Sequence, residues 1–136
     1  MSQRSRISLT VDVSNRILMI RLHSLCDERE TPDLIDQLQR VAEPWTYDAI
    51  FDFRRYEAEL SRDYLAFLTH KWMALTEGRD RGRLMALVST CPVLSLQLRE
   101  MRGAMPDRGM SVFESFDEGL DWIKTAQSCA KEACAA

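Results

Sequence analysis

The chain predicts an α/β domain built on a mainly parallel sheet. Two short, nearly continuous apolar runs carry that reading, Asp48-Ala49-Ile50-Phe51-Asp52-Phe53 and Leu84-Met85-Ala86-Leu87-Val88. Such runs suit strands covered on both faces. Each leads into a stretch with apolar residues at helical spacing, and strands alternating with helices imply right-handed crossovers between parallel neighbours. The third observation is the start of the chain, where Ile7-Ser8-Leu9-Thr10-Val11-Asp12-Val13 alternates with period two, as a half-buried strand does.

In order, Ser14-Asn15 reads as a two-residue turn, since Asn tolerates positive φ. Ile17 to Leu22 returns as a second, more buried strand antiparallel to the first. Ser24 to Glu30 is a polar loop. Thr31 caps a helix with Pro32 at its first position, and Leu34, Ile35, Leu38, Val41 and Ala42 form its stripe before Pro44 ends it.

After the strand at Tyr47 to Phe53, Ser61 opens the central helix, with Asp63 in a first turn that favours negative charge. Tyr64, Leu65, Leu68, Trp72 and Leu75 share its inner face; Asp63, His70 and Glu77 share the wet one. Gly78 stops it. Arg79-Asp80-Arg81-Gly82-Arg83 reads as a solvated turn before Leu84 to Val88. Ser89-Thr90-Cys91-Pro92 opens a third helix bearing Leu94, Leu98, Met101 and Met105, weakened near its end by Gly103. Met110 to Phe113 is the last strand. Ser115 caps the last helix, whose apolar side is Phe116, Leu120, Trp122 and Ile123. Thr125 to Ala136 is small and polar and is expected to fray. The order is ββαβαβαβα: five strands and about four helices in one domain spanning 1–136, with its core in 7–124.

Composition excludes several classes. A net charge of −3 gives no basic footprint for nucleic acid. No apolar run approaches the roughly 20 residues of a membrane span, and Met1 to Arg6 lacks the apolar core of a signal peptide. Cys26, Cys91, Cys129 and Cys134 form no Cys-x-x-Cys, and His23 and His70 are the only histidines. No metal or cofactor is expected, and four free thiols fit a reducing cytoplasm. Cys134-Ala135-Ala136 is one residue short of a prenylation box.

The order of elements resembles the STAS domain (sulfate transporter and anti-sigma factor antagonist), in particular its SpoIIAA-like bacterial branch. The carriers are Ile50-Phe51-Asp52-Phe53 before a helix, Leu84 to Val88 after a basic turn, and the ending Val112-Phe113-Glu114-Ser115-Phe116-Asp117-Glu118-Gly119-Leu120-Asp121-Trp122-Ile123. The likeness spans roughly residues 7 to 124, with Gly119 where the branch has Ala. It implies a regulatory domain that binds protein partners rather than catalysing. Anti-sigma factor antagonists carry an Asp-Ser-Ser-Gly type segment after the third strand, where phosphorylation of a Ser turns binding off. The matching place here reads Glu59-Leu60-Ser61-Arg62-Asp63, with one Ser, no Gly, and Arg62 near the place of the modified residue. Ser61 is thus the phosphorylation candidate, although a plain N-cap explains it better.

An open parallel sheet presents its ligand crevice at the carboxyl ends of its strands. That rim should hold Asp52, Arg54, Arg55, Ser61, Ser89, Thr90 and Cys91, with the arginines and helix starts favouring an anion. Against a ligand site stands the absence of a glycine-rich phosphate loop. Cys91 reads as a buried structural thiol, His70 and His23 as surface histidines, and Asp52 as a carboxylate without a second acid. The sequence supports a non-catalytic cytoplasmic binding module with a protein partner or a second copy of itself. A small-ligand or lipid carrier, with an apolar pocket under the central helix or a site at the rim, is the alternative; an enzyme comes third. For a homodimer, Trp45, Tyr56, Met73 and Met110 are the contact candidates, Met73 beside Ala66 and Thr69 on the helix's outer face.

If Ser61 is a cap, Ser61→Ala should lower stability by roughly 0.5–2 kcal/mol in a urea melt, while Ser61→Asp, which also caps, keeps the domain folded. Phosphate on Ser61 in protein from its own cells, coupled to loss of a bound partner, would overturn that assignment.

Overall fold

The computed structural model describes residues 7–22, 36–55, 62–104 and 108–135; for Arg62, Tyr64, Leu65, Ala104 and residues 131–135 it describes the backbone alone. Five strands form one sheet: β1 (Ile7–Asp12), β2 (Ile17–Leu22), β3 (Asp48–Asp52), β4 (Leu84–Val88) and β5 (Gly109–Phe113). Three helices are described over their length: α1 (Arg62–Thr76), α2 (Pro92–Met101) and α3 (Phe116–Ala135). Residues 36–39 are helical as well, within the predicted second-strand-to-third-strand helix, whose start lies outside the described residues.

Spatial order equals chain order, β1-β2-β3-β4-β5, with β1 antiparallel to β2 and every other pair parallel. The two apolar runs are neighbours inside the sheet, as their composition requires. Sequential order has a consequence. Right-handed crossovers between neighbours that all advance in one direction put every connecting helix on the same face. The other face is left to the one helix that follows the last strand. Residue parity follows this division. Leu18, Ile20, Ala49, Phe53, Met85, Leu87 and Met110 turn toward α1 and α2 and pack with Trp72, Leu94 and Leu98. Ile17, Ile50, Ala86 and Val88 turn toward α3 and pack with Ile123. In β1, Ile7, Leu9 and Val11 join the first cluster, and the alternating Ser8, Thr10 and Asp12 face the side that α3 covers.

Gly119 lets α3 sit close. A Cβ there would stand 3.2 Å from Ile50 Cδ1 and 3.3 Å from Ala86 Cβ, so an alanine would displace its neighbours. Ser115 accepts from the Glu118 amide at 3.4 Å, the expected cap. The helix then runs through Ala135, where the sequence predicts a fraying tail from Thr125. Two causes oppose fraying. Alanine, the best helix former, recurs at 126, 130, 133 and 135. Gln127 Nε2 donates to Asn15 O and to Asp48 Oδ2, both at 2.8 Å.

Other expectations are corrected too. The β1–β2 connection is a four-residue loop, Val13 to Arg16, and the left-handed residue is Arg16 (φ 55), not Asn15. Asn15 instead bonds Asp12 through its amide and its Nδ2 at 3.0 and 2.8 Å. On α1, Asp63, His70 and Glu77 are exposed and Trp72 is buried, as expected, but Thr69 and Thr76 are buried and Leu68 and Leu75 only partly so. The inward face is centred on Trp72 with Thr69 and Thr76, so Thr69 cannot flank an outer contact. Met110 is core, and Trp45 is half-buried under the Arg79 guanidinium, 4.8 Å from its ring. Tyr56 lies outside the described residues. Met73 remains exposed.

The predicted solvated turn after α1 holds a buried charge. Asp80 and Arg108 are each 4% exposed and form an ion pair through Arg108 Nε. Arg108 Nη1 donates to Leu84 O at 3.1 Å and Nη2 to Tyr47 O at 3.0 Å, while Trp72 Nε1 donates to Asp80 Oδ2 at 3.1 Å. The guanidinium lies over the Trp72 ring at 4.8 Å. Burial alone would raise the Asp80 carboxyl; the bonds and charge of Arg108, with the Trp72 bond, bring it below the usual carboxylate range. At the far edge of the sheet, Arg102 donates through Nε and Nη2 to Met110 O at 3.0 and 2.7 Å.

Asp80→Asn, which leaves Arg108 buried without its counter-charge, should cost about 3–5 kcal/mol at pH 7. The depressed carboxyl contributes stability above its unfolded pKa of about 3.9 and loses it as pH falls through the folded value. Urea melts from pH 7 to 3 should therefore show a smaller acid-induced loss in Asp80→Asn than in the wild type; equal losses would mean the pair is not the buried contact described.

Candidate functional site

The carboxyl ends of β2, β3, β4 and β5 lie together, as the parallel sheet requires. Of the predicted rim residues, the structure joins Asp52, Arg54 and Arg55 in one cleft of about 260 Å³, whose other walls are Ser8, Arg21 and Leu22. Ser89, Thr90 and Cys91 sit at the end of β4 instead and do not line it. Ser61 lies outside the described residues.

Asp52, at the last position of β3, is buried while the arginines around it are exposed. Its Oδ1 accepts from the Arg54 amide and from Arg54 Nε, both at 3.0 Å, and its Oδ2 accepts from Arg54 Nη2 at 2.9 Å. Arg21 Nε approaches the same Oδ2 at 3.9 Å, an ion pair without a hydrogen bond. Burial alone would raise the Asp52 carboxyl, but the side-chain and backbone bonds from Arg54, then the charges of Arg54 and Arg21, hold it below the ordinary range. The Arg54 side chain is stabilised in its charged form chiefly by the bond to Asp52.

Arg21 and Phe116 are the members that sequence reasoning missed. Arg21 interrupts the apolar run of β2, and the register places it beside Asp52 on one side and Ser8 on the other. A lone arginine in a buried strand is a signal, although only the register tells what it meets. Phe116 begins α3 and lies under both guanidinium groups, 5.2 Å from that of Arg21 and 5.7 Å from that of Arg54. Stacking of this kind fixes the planar groups without neutralising them.

At the end of β4, Ser89 is buried. Its Oγ accepts from the Cys91 amide at 3.2 Å and donates to Cys91 O at 3.4 Å, a local turn that leads into α2. Pro92 takes the first helical position. Cys91 is exposed, against the expectation of a buried thiol, because an N-cap residue stands outside the helix it precedes and no element covers it here. Thr90 is exposed beside it. Among the described residues no group of three or more His, Cys, Asp and Glu stands together as a metal site. Among the same residues no helix is long and apolar enough to cross a membrane. An apolar-floored cleft of about 610 Å³ lies between β1 and residues 37–43, over Leu9, Val11 and Val41, with Arg16, Arg40 and Glu43 at its rim.

No protein-family model matches the chain, and no curated protein does. A solved structure does: the crystal structure of an anti-sigma factor antagonist from Mycobacterium paratuberculosis, with a TM-score of 0.55 at 15% identity over 91% of this chain and 99% of that one. The fold is that of an anti-sigma factor antagonist. Both chains are covered almost whole, so the likeness takes in the entire mixed five-stranded sheet and its helices.

Arg54 sets the Asp52 titration. By carbon NMR, Asp52 in the intact protein should titrate below the ordinary value of about 3.9. In Arg54→Gln it should rise, because burial then acts with less opposition. An unchanged titration would show that Arg21 or the backbone dominates.

Proposed function

We propose that this chain is a non-catalytic regulatory module that acts by binding another protein. What supports the reading is a fold shared with an anti-sigma factor antagonist together with apolar side chains left open on the two helices of one face. Phe67 and Met73 on α1 are 41% and 46% exposed; Val93 and Leu96 on α2 are 48% and 58% exposed. Aromatic residues and Met are enriched in the cores of protein interfaces. Apolar groups on the outer faces of neighbouring helices are what a partner would cover.

The reading without chemistry rests on Asp52. A general acid or base works best with a pKa near the operating pH. The Asp52 carboxyl is held low, and Arg54 engages both its oxygens. Ser61 acts in this proposal as a helix cap rather than a switch. The free, exposed thiols of Cys91 and Cys129 suit a reducing cytoplasm.

Two surface variants test the partner: Phe67→Glu and Leu96→Glu should each unfold within about 0.5 kcal/mol of the wild type in urea. Each should also lose the complex that tagged wild-type protein draws from a lysate of its own cells. A complex that survives both changes would sink the docking face. Sedimentation equilibrium at micromolar concentration separates the two kinds of partner: a dimer mass that Met73→Glu converts to monomer identifies a second copy of the chain. A small molecule retained in native mass spectrometry would instead favour the carrier reading, for which the cleft over Leu9, Val11 and Val41 offers a volume.

A further inference from the structure

The cleft at the carboxyl ends holds more positive charge than its carboxylate takes up. Ser8, Arg21 and Asp52 stand in one row across β1, β2 and β3, because Ser8 pairs with Arg21 and Arg21 with Asp52. All three belong to the sheet face that α3 covers only in part. Arg54 and Arg55 follow from the end of β3. Three arginines and one carboxylate thus share a cleft of about 260 Å³ in a chain whose net charge is −3. Asp117, on the first turn of α3, also acts on Arg54 and, among the described residues, reduces the surplus without removing it.

The donors are held ready. Arg54 turns Nε and Nη2 to Asp52, which fixes its plane and leaves Nη1. Arg21, 52% exposed, touches Asp52 only at 3.9 Å, so its hydrogen-bonding capacity is not spent there. Phe116 supports both groups from one side. Stacked guanidinium groups give up less freedom on binding than free ones. Two of them converging beside a hydroxyl match the tetrahedral oxygens of a phosphate. The volume lies just under the roughly 300–1,000 Å³ of clefts that enclose whole organic ligands, which suits a headgroup-sized anion.

We propose that this cleft binds a phosphate-sized dianion, either the free ion or the phosphomonoester end of a small molecule. Arg21 and Arg54 are the anchors, Ser8 adds a hydroxyl donor, and Asp52 acts as an internal competitor that orients Arg54 and limits affinity. The site is separate from the apolar faces of α1 and α2, and it stands or falls independently of any protein partner.

The test is an amide NMR titration of the full chain with inorganic phosphate and, separately, with glycerol 3-phosphate, against sodium chloride at matched ionic strength. Saturable shifts should appear at Ser8, Arg21, Asp52 to Arg55 and Phe116. Arg21→Gln and Arg54→Gln, both at solvent-exposed side chains, should each weaken binding about tenfold or more, as loss of a charge-assisted hydrogen bond does. Arg79→Gln, at the opposite end of the sheet, should leave it unchanged. Asp52→Asn should tighten it. Stronger binding of glycerol 3-phosphate assigns the site to phosphomonoesters, and equal binding assigns it to the free ion. The proposal is overturned if neither compound gives saturable shifts, if chloride reproduces them, or if they survive both arginine changes.

Discussion

The Arg108 guanidinium holds the amino-terminal end of the sheet together. It gives one hydrogen bond to the carboxylate of Asp80, one to the carbonyl before β3 and one to a carbonyl of β4, and it is itself the residue before β5. Trp72 covers it and also bonds Asp80, which ties in the last turns of α1. Withdrawing both ions from water costs several kcal/mol per ion, and only a full set of partners offsets that. Asp48 extends the junction: Oδ1 accepts from the Leu84 amide at 2.7 Å, and Oδ2 accepts from Gln127 of α3. Strands β3, β4 and β5 and helices of both faces therefore meet at one end through directional bonds. The opposite end carries Asp52 with the exposed Arg21, Arg54 and Arg55. An end fixed in this way leaves the carboxyl ends free to differ in sequence without loss of the fold.

The strands were legible because each carries its own signal. Leu84 to Val88 and Ile17 to Leu22 match the observed strands at both ends, and the others differ by a residue or two. A continuous apolar run needs two covers, and a sheet with helices on both faces supplies them. What the sequence hid depends on contacts between distant segments. Asp80 and Arg108 each lie in a charged, glycine-containing stretch that looks solvated, and neither predicts the other across 28 residues. Thr69 and Thr76 look polar, yet the centre of the buried stripe on α1 passes through them. The small residues after Thr125 lack an apolar stripe, so their helix is held by alanine propensity and by Gln127, which no periodicity reports.

The candidate site was legible in half. Asp52, Arg54 and Arg55 were placed at the rim by the general rule for open parallel sheets, and they share a cleft. Ser89, Thr90 and Cys91 obey the same rule but belong to the next strand end, where a local turn consumes the Ser89 hydroxyl. Arg21 comes from a buried strand and Phe116 from the helix that covers the same sheet face. Strand register and the packing of α3 bring them together, and neither quantity is written in local sequence. Gly119 shows the reverse case: a departure from the usual Ala acquires its reason once the helix-to-sheet distance is known.

The bond from Arg102 to Met110 O bears on how the sheet ends. In β5, Gly109 N and Phe113 O are bonded toward β4, so the alternate residue Met110 turns its carbonyl outward. An outward row of unpaired backbone groups is a template on which a strand of another molecule can grow, the first step toward fibrous aggregates. Arg102 seats two of its donors on that carbonyl and brings a positive charge to the margin. A strand arriving there would have to displace a bidentate cation before it could form its first rung. One side chain at the end of α2 thus guards the molecule against polymerising through its last strand.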